Sequence, residues 1–433
     1  MTCTSADAEM CAACRADYPP SSAAGIVGTP ELRQRASTVW LEREAVAAHG
    51  PARLAAAPLL GDGERARWLV VGDDGWFHLW DLDARSCAAI RPIPDGVVDL
   101  GQPVTLRVSR DGRFAALANT RGLAGAVVDV ATGAVTVRMQ RDGYHSSHSD
   151  YSVAFVDAGG RTLVVHATRW NRLDAADART GELVTAREPH ALDYFHAGLH
   201  VSPGEARIAD TGWVWGAAGI VRAWSLDAWL GANVFESEDG PSVRRLGYRL
   251  YDWNNSLVWL DDDRVALAGY GSDVDWMLPA ARIVTASTGV EVRWFYGPSG
   301  WFAFDRHLVS ISARDGAAVW DVDTGERIVH EPAARARWYH PGARVFVEVA
   351  PDGDLVAWRL CGHDAGAPWL TDGVRVLARS LHAGGAPSSD GLRVLGDALE
   401  EAGCPDAELL AHCRAGVHRG PRCWVVDRLL ARL

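Results

Sequence analysis

Short apolar runs, many of them alternating with polar residues, recur along most of the chain and are cut by turn residues every few positions. "TLRVSRDGRFAALAN" (105–119), "SVAFVDAGGRTLVVHA" (152–167), "SLVWLDDDRVALAG" (256–269) and "RARWYHPGARVFVEVAPDG" (335–353) each read as two strands joined at a Gly or Asp turn. Another set of segments reads as a strand, a tight turn and a return strand: "HLWDLDARS", "AVVDVATGAV", "LDAADARTGEL", "RAWSLDAWL", "RIVTASTGVEV" and "AVWDVDTGERI". "LVAWRL" begins a seventh. Aligned on Asp81, Asp129, Asp177, Ser225, Thr285, Asp321 and Arg359, these segments are spaced by 48, 48, 48, 60, 36 and 38 residues. Four short strands per unit, repeated at this loose period, predict a seven-bladed all-β propeller.

The seventh unit lacks an outer strand after Leu360, and "STVWLEREAVA" (37–47) has nothing else to pair with. That run is expected to close the ring as the fourth strand of blade 7, removing an open sheet edge. The expected organisation is a flexible N-terminal tail over 1–36, the propeller over 37–361, and a helical module over 366–433. In the last segment "SSDGLRVLGDALEEAG" (388–403) places Leu392, Leu395 and Leu399 on one helical stripe after a Ser cap. "PDAELLAHCR" (405–414) and "CWVVDRLLARL" (423–433) predict two further helices.

In a four-stranded blade the one-to-two and three-to-four turns share one rim, and the two-to-three and blade-to-blade turns share the other. The first rim reads as minimal turns. Long insertions gather on the second, around blades 2 to 5: "TGWVWGAA" (211–218), "YGSDVDWMLPA" (270–280), "QRDGYHSSHSDY" (140–151), "EPHALDYFHA" (189–198) and "FESEDGPSVRRLGYRLYDWN" (235–254). These loops hold Tyr144, Tyr194, Phe195, Trp213, Trp215, Tyr251, Trp253 and Trp276. Aromatics mixed with Arg and Asp have the composition of an interaction hot spot, so this face is expected to bind a protein partner. The competing expectation is that the loops bury their own aromatics, as packed surface loops do. Trp80, Trp224, Trp320 and Trp358 are expected to fill blades.

Composition narrows the function. All 43 basic residues are Arg, which excludes a Walker-A lysine and a lysine Schiff base. The net charge of -12 is spread over interspersed acids and bases, a field unsuited to nucleic acid. No run is long and apolar enough for a membrane span. "MTCTSADAEM" has no basic residue ahead of an apolar run, so it does not read as a secretory signal. The eight Cys cluster at the two ends rather than forming a disulfide framework, and a cytoplasmic protein with reduced thiols is expected.

"AAHGPARLAAAPLLGDGERARWLVVGDDGWFHLWDLDA" (47–84), with a loop histidine, a "DDG" turn and "LWDL", resembles a WD40 unit. The resemblance to WD40-repeat proteins covers about 37–361, although only Trp80-Asp81 and Trp320-Asp321 keep the dipeptide. Quinoprotein-like propellers, whose blades also end in "D..TG", are the nearest competitor. WD40 proteins keep an inter-blade histidine hydrogen-bonded within the blade, and the resemblance implies such a place for His49, His196 and His330. "LGDALEEAGCPDAELLAHCRAGVHRGPRCWVVDRLL" is similar to a short C-terminal module of otherwise unrelated bacterial proteins, with "GP" inserted before Arg422.

Three histidine and cysteine groups are candidate metal sites. "YHSSHSD" offers His145, His148 and Asp150, and the N-terminus offers Cys3, Cys11 and Cys14, which lack a nearby fourth ligand. In the C-terminal module Cys404, His412, His418 and Cys423 can supply a four-ligand zinc set, against a core cysteine with surface histidines. No G-x-S-x-G, HExxH or strand-to-helix G-x-G-x-x-G occurs. The expected function is therefore a non-catalytic interaction or scaffold protein. The alternatives are an enzyme or small-ligand binder using the central funnel, and a propeller sensor fused to a zinc-binding module.

Overall fold

The run Gly316–Trp320 is buried from end to end. Ala317 and Val319 enter one apolar cluster while Ala318 and Trp320 enter the next, because successive side chains of a strand point to opposite faces. A strand covered on both faces needs no polar positions, so it reads as an uninterrupted apolar stretch. The computed structural model describes residues 30–34, 39–46, 53–62, 65–188, 192–349, 355–361, 369–383, 387–404, 406–416 and 423–429.

Seven antiparallel sheets form a seven-bladed propeller. Blade 1 comprises Arg53–Pro58, Arg67–Gly72, Trp76–Asp81 and Ser86–Pro92, and blade 2 Val104–Val108, Phe114–Asn119, Ala124–Asp129 and Val135–Gln140. Blade 3 has Val153–Ala158, Arg161–Arg169 and Arg172–Asp177; blade 4 has Leu199–Val201, Arg207–Asp210, Ala218–Ser225 and Arg244–Leu250. Blade 5 is Leu257–Trp259, Arg264–Tyr270, Leu278–Thr285 and Val290–Tyr296, and blade 6 is Trp301–Asp305, His307–Ser312, Gly316–Trp320 and Arg327–Glu331. Blade 7 holds Trp338–His340, Val345–Val349 and Leu355–Cys361.

The first strands of the blades adjoin one another around the axis, and those of blades 1 and 7 meet. Each of the seven junctions between neighbouring blades has its own apolar cluster. Trp80, Trp224, Trp320 and Trp358 all belong to these clusters.

The ring closes as the sequence predicts. Trp40–Val46 pairs antiparallel with Leu355–Cys361 as the outer strand of blade 7, with Leu41 opposite Leu360. Val39 is buried and Leu41 packs against the blade 6/7 cluster. Within the segment assigned to a tail, Gln34 forms a parallel bridge to Arg327, and Arg33 donates from its guanidinium to Thr324 O at 3.2 Å. The described end of that segment therefore lies along blade 6.

Two expectations about strands and loops need correction. Blade 3 has three strands, its fourth being reduced to a single bridge between Ala176 and Leu183. In blade 4, 235–254 is not one blade-to-blade loop. Residues 226–243 join the third and fourth strands, on the rim expected to be minimal, and Arg244–Leu250 is the outer strand. Only 251–256 lie on the other rim, called the upper rim below.

The insertion 226–243 completes blade 3. Arg187, past the vestigial strand, is buried between Asp174 of blade 3, at 2.7 Å, and Glu238 of the insertion, at 2.5 Å. Arg172 also reaches Asp174, at 2.8 Å. Two guanidiniums thus bind two buried carboxylates, filling a place where a regular outer strand would have paired.

The repeated "D..TG" has a local cause. In blades 2, 3 and 6 the amides of Thr132, Thr180 and Thr324 donate to Oδ1 of Asp129, Asp177 and Asp321 at 2.9, 3.0 and 3.0 Å. The following Gly133, Gly181 and Gly325 take φ of 77°, 75° and 73°, which an L side chain adopts only at a cost. Burial opposes ionisation of Asp129 and Asp177. The turn amides and the Arg113 and Arg161 guanidiniums outweigh it and hold both below the ordinary carboxylate value of 3.8. A depressed folded pKa contributes stability that is complete above that value and lost as pH falls through the folded pKa. Denaturant titrations across acid pH should therefore show wild type losing its margin over Asp177→Asn below about pH 4. A constant difference between the two down to pH 2 would contradict this role.

The C-terminal segment forms helices α1 (Asp372–Ala383), α2 (Ser389–Glu401), α3 (Ala407–Ala415) and α4 (Trp424–Leu429), with an apolar cluster of their own. Ser388 caps α2 by accepting the Gly391 amide at 3.1 Å, and Leu392, Leu395 and Leu399 are fully buried. Helix α1 goes beyond the sequence expectation. Its Val374 and Ala378 are buried, and Thr371 Oγ1 accepts the Val374 amide at 3.3 Å. No helix among the described residues is long and apolar enough to cross a membrane.

Candidate protein-binding surface

Five upper-rim segments of blades 2 to 5 converge on one aromatic cluster. They are the loop 141–152, the turn carrying Trp170, the loop ending at Phe195, the hairpin tip after blade 4's second strand, and residues 251–256. That hairpin exists because the second and third strands of blade 4 run on past the sheet: Trp213 pairs with Gly219 and Val214 with Ala218, and Phe195 bridges to Trp213. Gly219 is required there, because a Cβ would lie 1.8 Å from the Asp252 carbonyl oxygen.

The cluster has two layers. Below, Phe195 stacks on Trp213 with ring centres 3.9 Å apart and 7° between planes, and Trp213 stacks on Trp253 at 5.3 Å. Phe195 and Trp213 are buried. Above, Tyr144 stacks on Phe195 at 5.7 Å, and Trp215 stands edge-on to Phe195 at 5.6 Å. His145 meets Trp215 at 90° and 4.7 Å. Tyr144 is 47% exposed, Trp215 48% and Tyr251 63%.

Hydrogen bonds fix the loops to one another. The Trp213 indole donates to Ser149 Oγ at 2.8 Å and the Trp253 indole to His148 O at 2.8 Å. Asn254 donates from its side chain to His148 O at 3.1 Å and accepts the Asp150 amide at 3.2 Å. Tyr251 donates its amide to Ala217 O at 2.6 Å. Of the eight non-glycine residues with positive φ among the described residues, four sit here: His145, Ala217, Tyr251 and Asn254. Left-handed backbone at residues other than Gly or Asn stores strain, which persists only where the surroundings over-determine it.

The eight aromatics predicted from sequence therefore divide by role. Tyr144, Trp215 and Tyr251 face solvent and Trp253 is half-buried, whereas Phe195 and Trp213 form the platform that Tyr144, Trp215 and Trp253 pack against. Tyr194 is an internal brace. Its hydroxyl accepts the Gly212 amide at 3.0 Å and reaches Ile220 O at 2.8 Å, and the Arg222 guanidinium lies over its ring at 4.6 Å. Burial and the nearby Asp210 carboxylate push its phenol well above 10. Trp276 ends the short turn Val274–Trp276, and its side chain lies outside the described residues. Trp170 was overlooked in sequence because its turn, "RWN", is minimal; it touches Phe195 at 4.3 Å.

The platform and the exposed layer should respond differently to truncation. Trp213→Ala removes a buried, stacked and hydrogen-bonded ring and should cost about 3–5 kcal/mol. Tyr144→Ala should change stability by less than about 1 kcal/mol. Thermal melts of the two variants check this, and equal losses would contradict the layering.

Two of the described histidines are held by contacts within their own blades. His196 pairs with Asp210 through Nδ1, both wholly buried. His330 lies on the outer strand of blade 6, not in a blade-to-blade loop, with Nε2 2.8 Å from Asp315 O. His145 and His148 pack against Trp213, and no group of three or more His, Cys, Asp or Glu is placed to hold a metal among the described residues.

In the helical module Cys423 Sγ lies 3.4 Å from His412 Nε2, and Cys404, Cys413 and Cys423 are buried. The Trp424 indole donates to His412 Nδ1 at 3.1 Å. A histidine that ligates metal through Nε2 carries its proton on Nδ1 and needs an acceptor there. Trp424 offers a donor, and with the indole proton directed at Nδ1 the His412 Nε2–H faces the Cys423 sulfur. Burial and the neighbouring Cys423 and Cys404 push the Cys413 thiol up to about 12. His418, His49 and Cys3, Cys11 and Cys14 lie outside the described residues. Compared with known families and curated proteins, the chain matches no family model and no curated sequence.

Proposed function

We propose that this chain is a WD40-like interaction protein without catalytic activity, which binds a protein partner through the upper-rim aromatic surface of blades 2 to 5. One observation carries the reading: Tyr144 and Trp215 are held in solvent on a buried aromatic platform, with Tyr251 exposed on an adjoining loop, by strained, hydrogen-bonded segments. Large rings fixed in water bring contact area with little rotamer entropy left to lose on binding. Fully covered aromatics bury about 150–250 Å² each, so these three form the centre of an interface whose rim comes from the neighbouring loops. The WD40 likeness is supported by the Trp320 indole donating to Ser310 Oγ at 2.8 Å within blade 6, and by the His196–Asp210 pair within blade 4.

The test is recovery of partners from native lysate by intact protein, by Tyr144→Ala/Trp215→Ala/Tyr251→Ala, and by Val290→Ser/Val292→Ser. Val290 and Val292 are 60% and 59% exposed on the outer strand of blade 5, away from the patch. A specific partner retained by wild type and the valine variant and lost by the aromatic variant is the expected result. Equal recovery by all three argues against the surface.

A further inference from the structure

We propose that the partner docks through an arginine-bearing segment, its guanidiniums lying on the rings of Tyr144, Trp215 and Tyr251 while their N–H edges meet the carboxylates of Asp142, Asp193 and Asp275. This inference rests on the upper-rim surface being where a partner binds, and it names the chemistry of that partner. The exposed rings keep faces that no other ring covers among the described residues. Tyr144 stacks one face on Phe195 with 21° between planes, and no ring lies parallel on the other. Tyr144, His145, Phe195 and Trp213 all meet Trp215 at 66° or more, so none lies flat on the indole. Tyr251 is exposed and touches no other ring. Elsewhere the chain covers such faces with its own arginines: Arg222 lies over Tyr194 at 4.6 Å and Arg141 over Tyr151 at 4.9 Å. No arginine among the described residues lies over Tyr144, Trp215 or Tyr251.

The charges bordering these rings are unbalanced. The Tyr144 amide donates to Asp142 Oδ1 at 3.3 Å, which sets that carboxylate at the foot of the exposed ring. Asp193 directly precedes Tyr194 and Phe195. The bridge between Leu250 and Asp273, with the Leu250 amide donating to Ser272 O at 2.8 Å, brings 272–275 alongside Tyr251. Asp142, Asp193 and Asp275 are exposed and make no ion pair among the described residues. Asp150 and Asp252, by contrast, are matched by Arg121 at 3.6 Å and Arg249 at 3.4 Å. Arg141 is buried and donates to Ser149 O at 3.0 Å, which leaves Arg169 as the single exposed and unpaired arginine of these loops among the described residues.

An aromatic face attracts a cation, and an unmatched carboxylate beside it attracts the same cation. An ammonium presents its charge at a point and keeps its water tightly. A guanidinium is planar and more weakly hydrated, so it lies flat on a ring while its in-plane N–H groups reach a neighbouring carboxylate. Rings bordered by free carboxylates therefore suit arginine.

The experiment uses the full chain and a fluorescein-labelled peptide of Gly-Ser-Arg repeats, with Lys and Glu counterparts as further probes. Wild type should bind the arginine peptide, bind the lysine peptide about tenfold more weakly, and leave the glutamate peptide free. Raising salt from about 0.05 M to about 0.5 M should weaken the arginine peptide about tenfold, because exposed charges are screened. Tyr144→Ala/Trp215→Ala/Tyr251→Ala and Asp142→Asn/Asp193→Asn/Asp275→Asn should each lose about tenfold or more. Glu182→Gln/Asp227→Asn/Asp323→Asn changes net charge equally at exposed lower-rim positions and should bind as wild type does. No arginine-peptide binding by wild type, equal binding of the lysine peptide, or an equal loss in the lower-rim variant would overturn the proposal. Its failure is distinct from failure of the surface itself. A protein adduct from a crosslinker at 215 that is indifferent to salt and to the aspartate variant would mean an apolar partner segment, overturning the arginine and leaving the surface.

Discussion

A chain lacking residues 39–46 is expected to lose its cooperative melting transition and to aggregate. That segment is the outer strand of blade 7, paired along its length from Trp40–Cys361 to Val46–Leu355. Removing it exposes the edge of Leu355–Cys361, a strand that is almost wholly buried, and uncovers the blade 6/7 cluster where Val39 and Leu41 pack. An apolar strand with an open edge is a template for pairing with other chains. It also loses Glu44, which meets Arg85 of blade 1 at 2.6 Å and Arg359 of blade 7 at 3.5 Å. A synthetic peptide of residues 37–47 added during refolding should restore the transition, since strand addition supplies the missing ladder from outside. Unchanged melting of the shortened chain would contradict closure by this strand.

Arg187→Met should cost about 3–5 kcal/mol, the range for removing one partner from a buried ionic cluster. It leaves the carboxylates of Asp174 and Glu238 in the interior, each having lost its closest guanidinium contact from Arg187. Glu238 keeps no other ion pair among those described, and its Oε2 already has no hydrogen-bond partner. Arg187→Met/Glu238→Gln should therefore recover a large part of the loss, because the neutral amide needs no counter-ion. Thermal and denaturant melts of both variants decide this. A single variant within about 0.5 kcal/mol of wild type would mean the cluster does not bind the insertion 226–243 to blade 3.

The ring was legible in the sequence and its irregularities were not, for one physical reason. Regular blades bury both faces of their third strands, so "GAAVW" and "LVAWRL" announce themselves as apolar runs, and the repeated Asp–Thr–Gly turn marks the spacing. The closing strand followed from counting, since blade 7 was one strand short and 37–47 was unpaired. Blade 4 hid its outer strand because "RRLGYRL" carries three arginines. Arg249 is nonetheless buried, donating to Gly269 O at 3.0 Å and pairing with Asp252 at 3.4 Å. A charge satisfied inside the fold looks the same in sequence as a charge in water. Blade 3 hid its missing strand because the replacement contacts come from a segment more than fifty residues on, Arg187 to Glu238.

The aromatic surface was half legible for a similar reason. The sequence placed large rings in upper-rim loops, but exposure depends on which ring lies above and which below. Tyr194 and Phe195 are adjacent in sequence and both buried, while Tyr144 in another loop covers Phe195 and stays open to water. Trp213 and Trp215 differ in the same way: Trp213 is paired within the hairpin and lies in the platform, whereas Trp215 follows the last paired residue, Val214, and faces solvent from the turn. The lower rim also carries a long insertion, 226–243, so loop length alone does not mark the candidate surface. The joined aromatic cluster does.

Photo-crosslinking in living cells is the most direct measurement of partner binding at this surface. A benzophenone amino acid placed at 215 should give one dominant protein adduct, while the same probe at 290, on the side of blade 5, should give none of that adduct. Matching adducts from both positions, or none from 215 in cells where the chain is folded, would contradict the account.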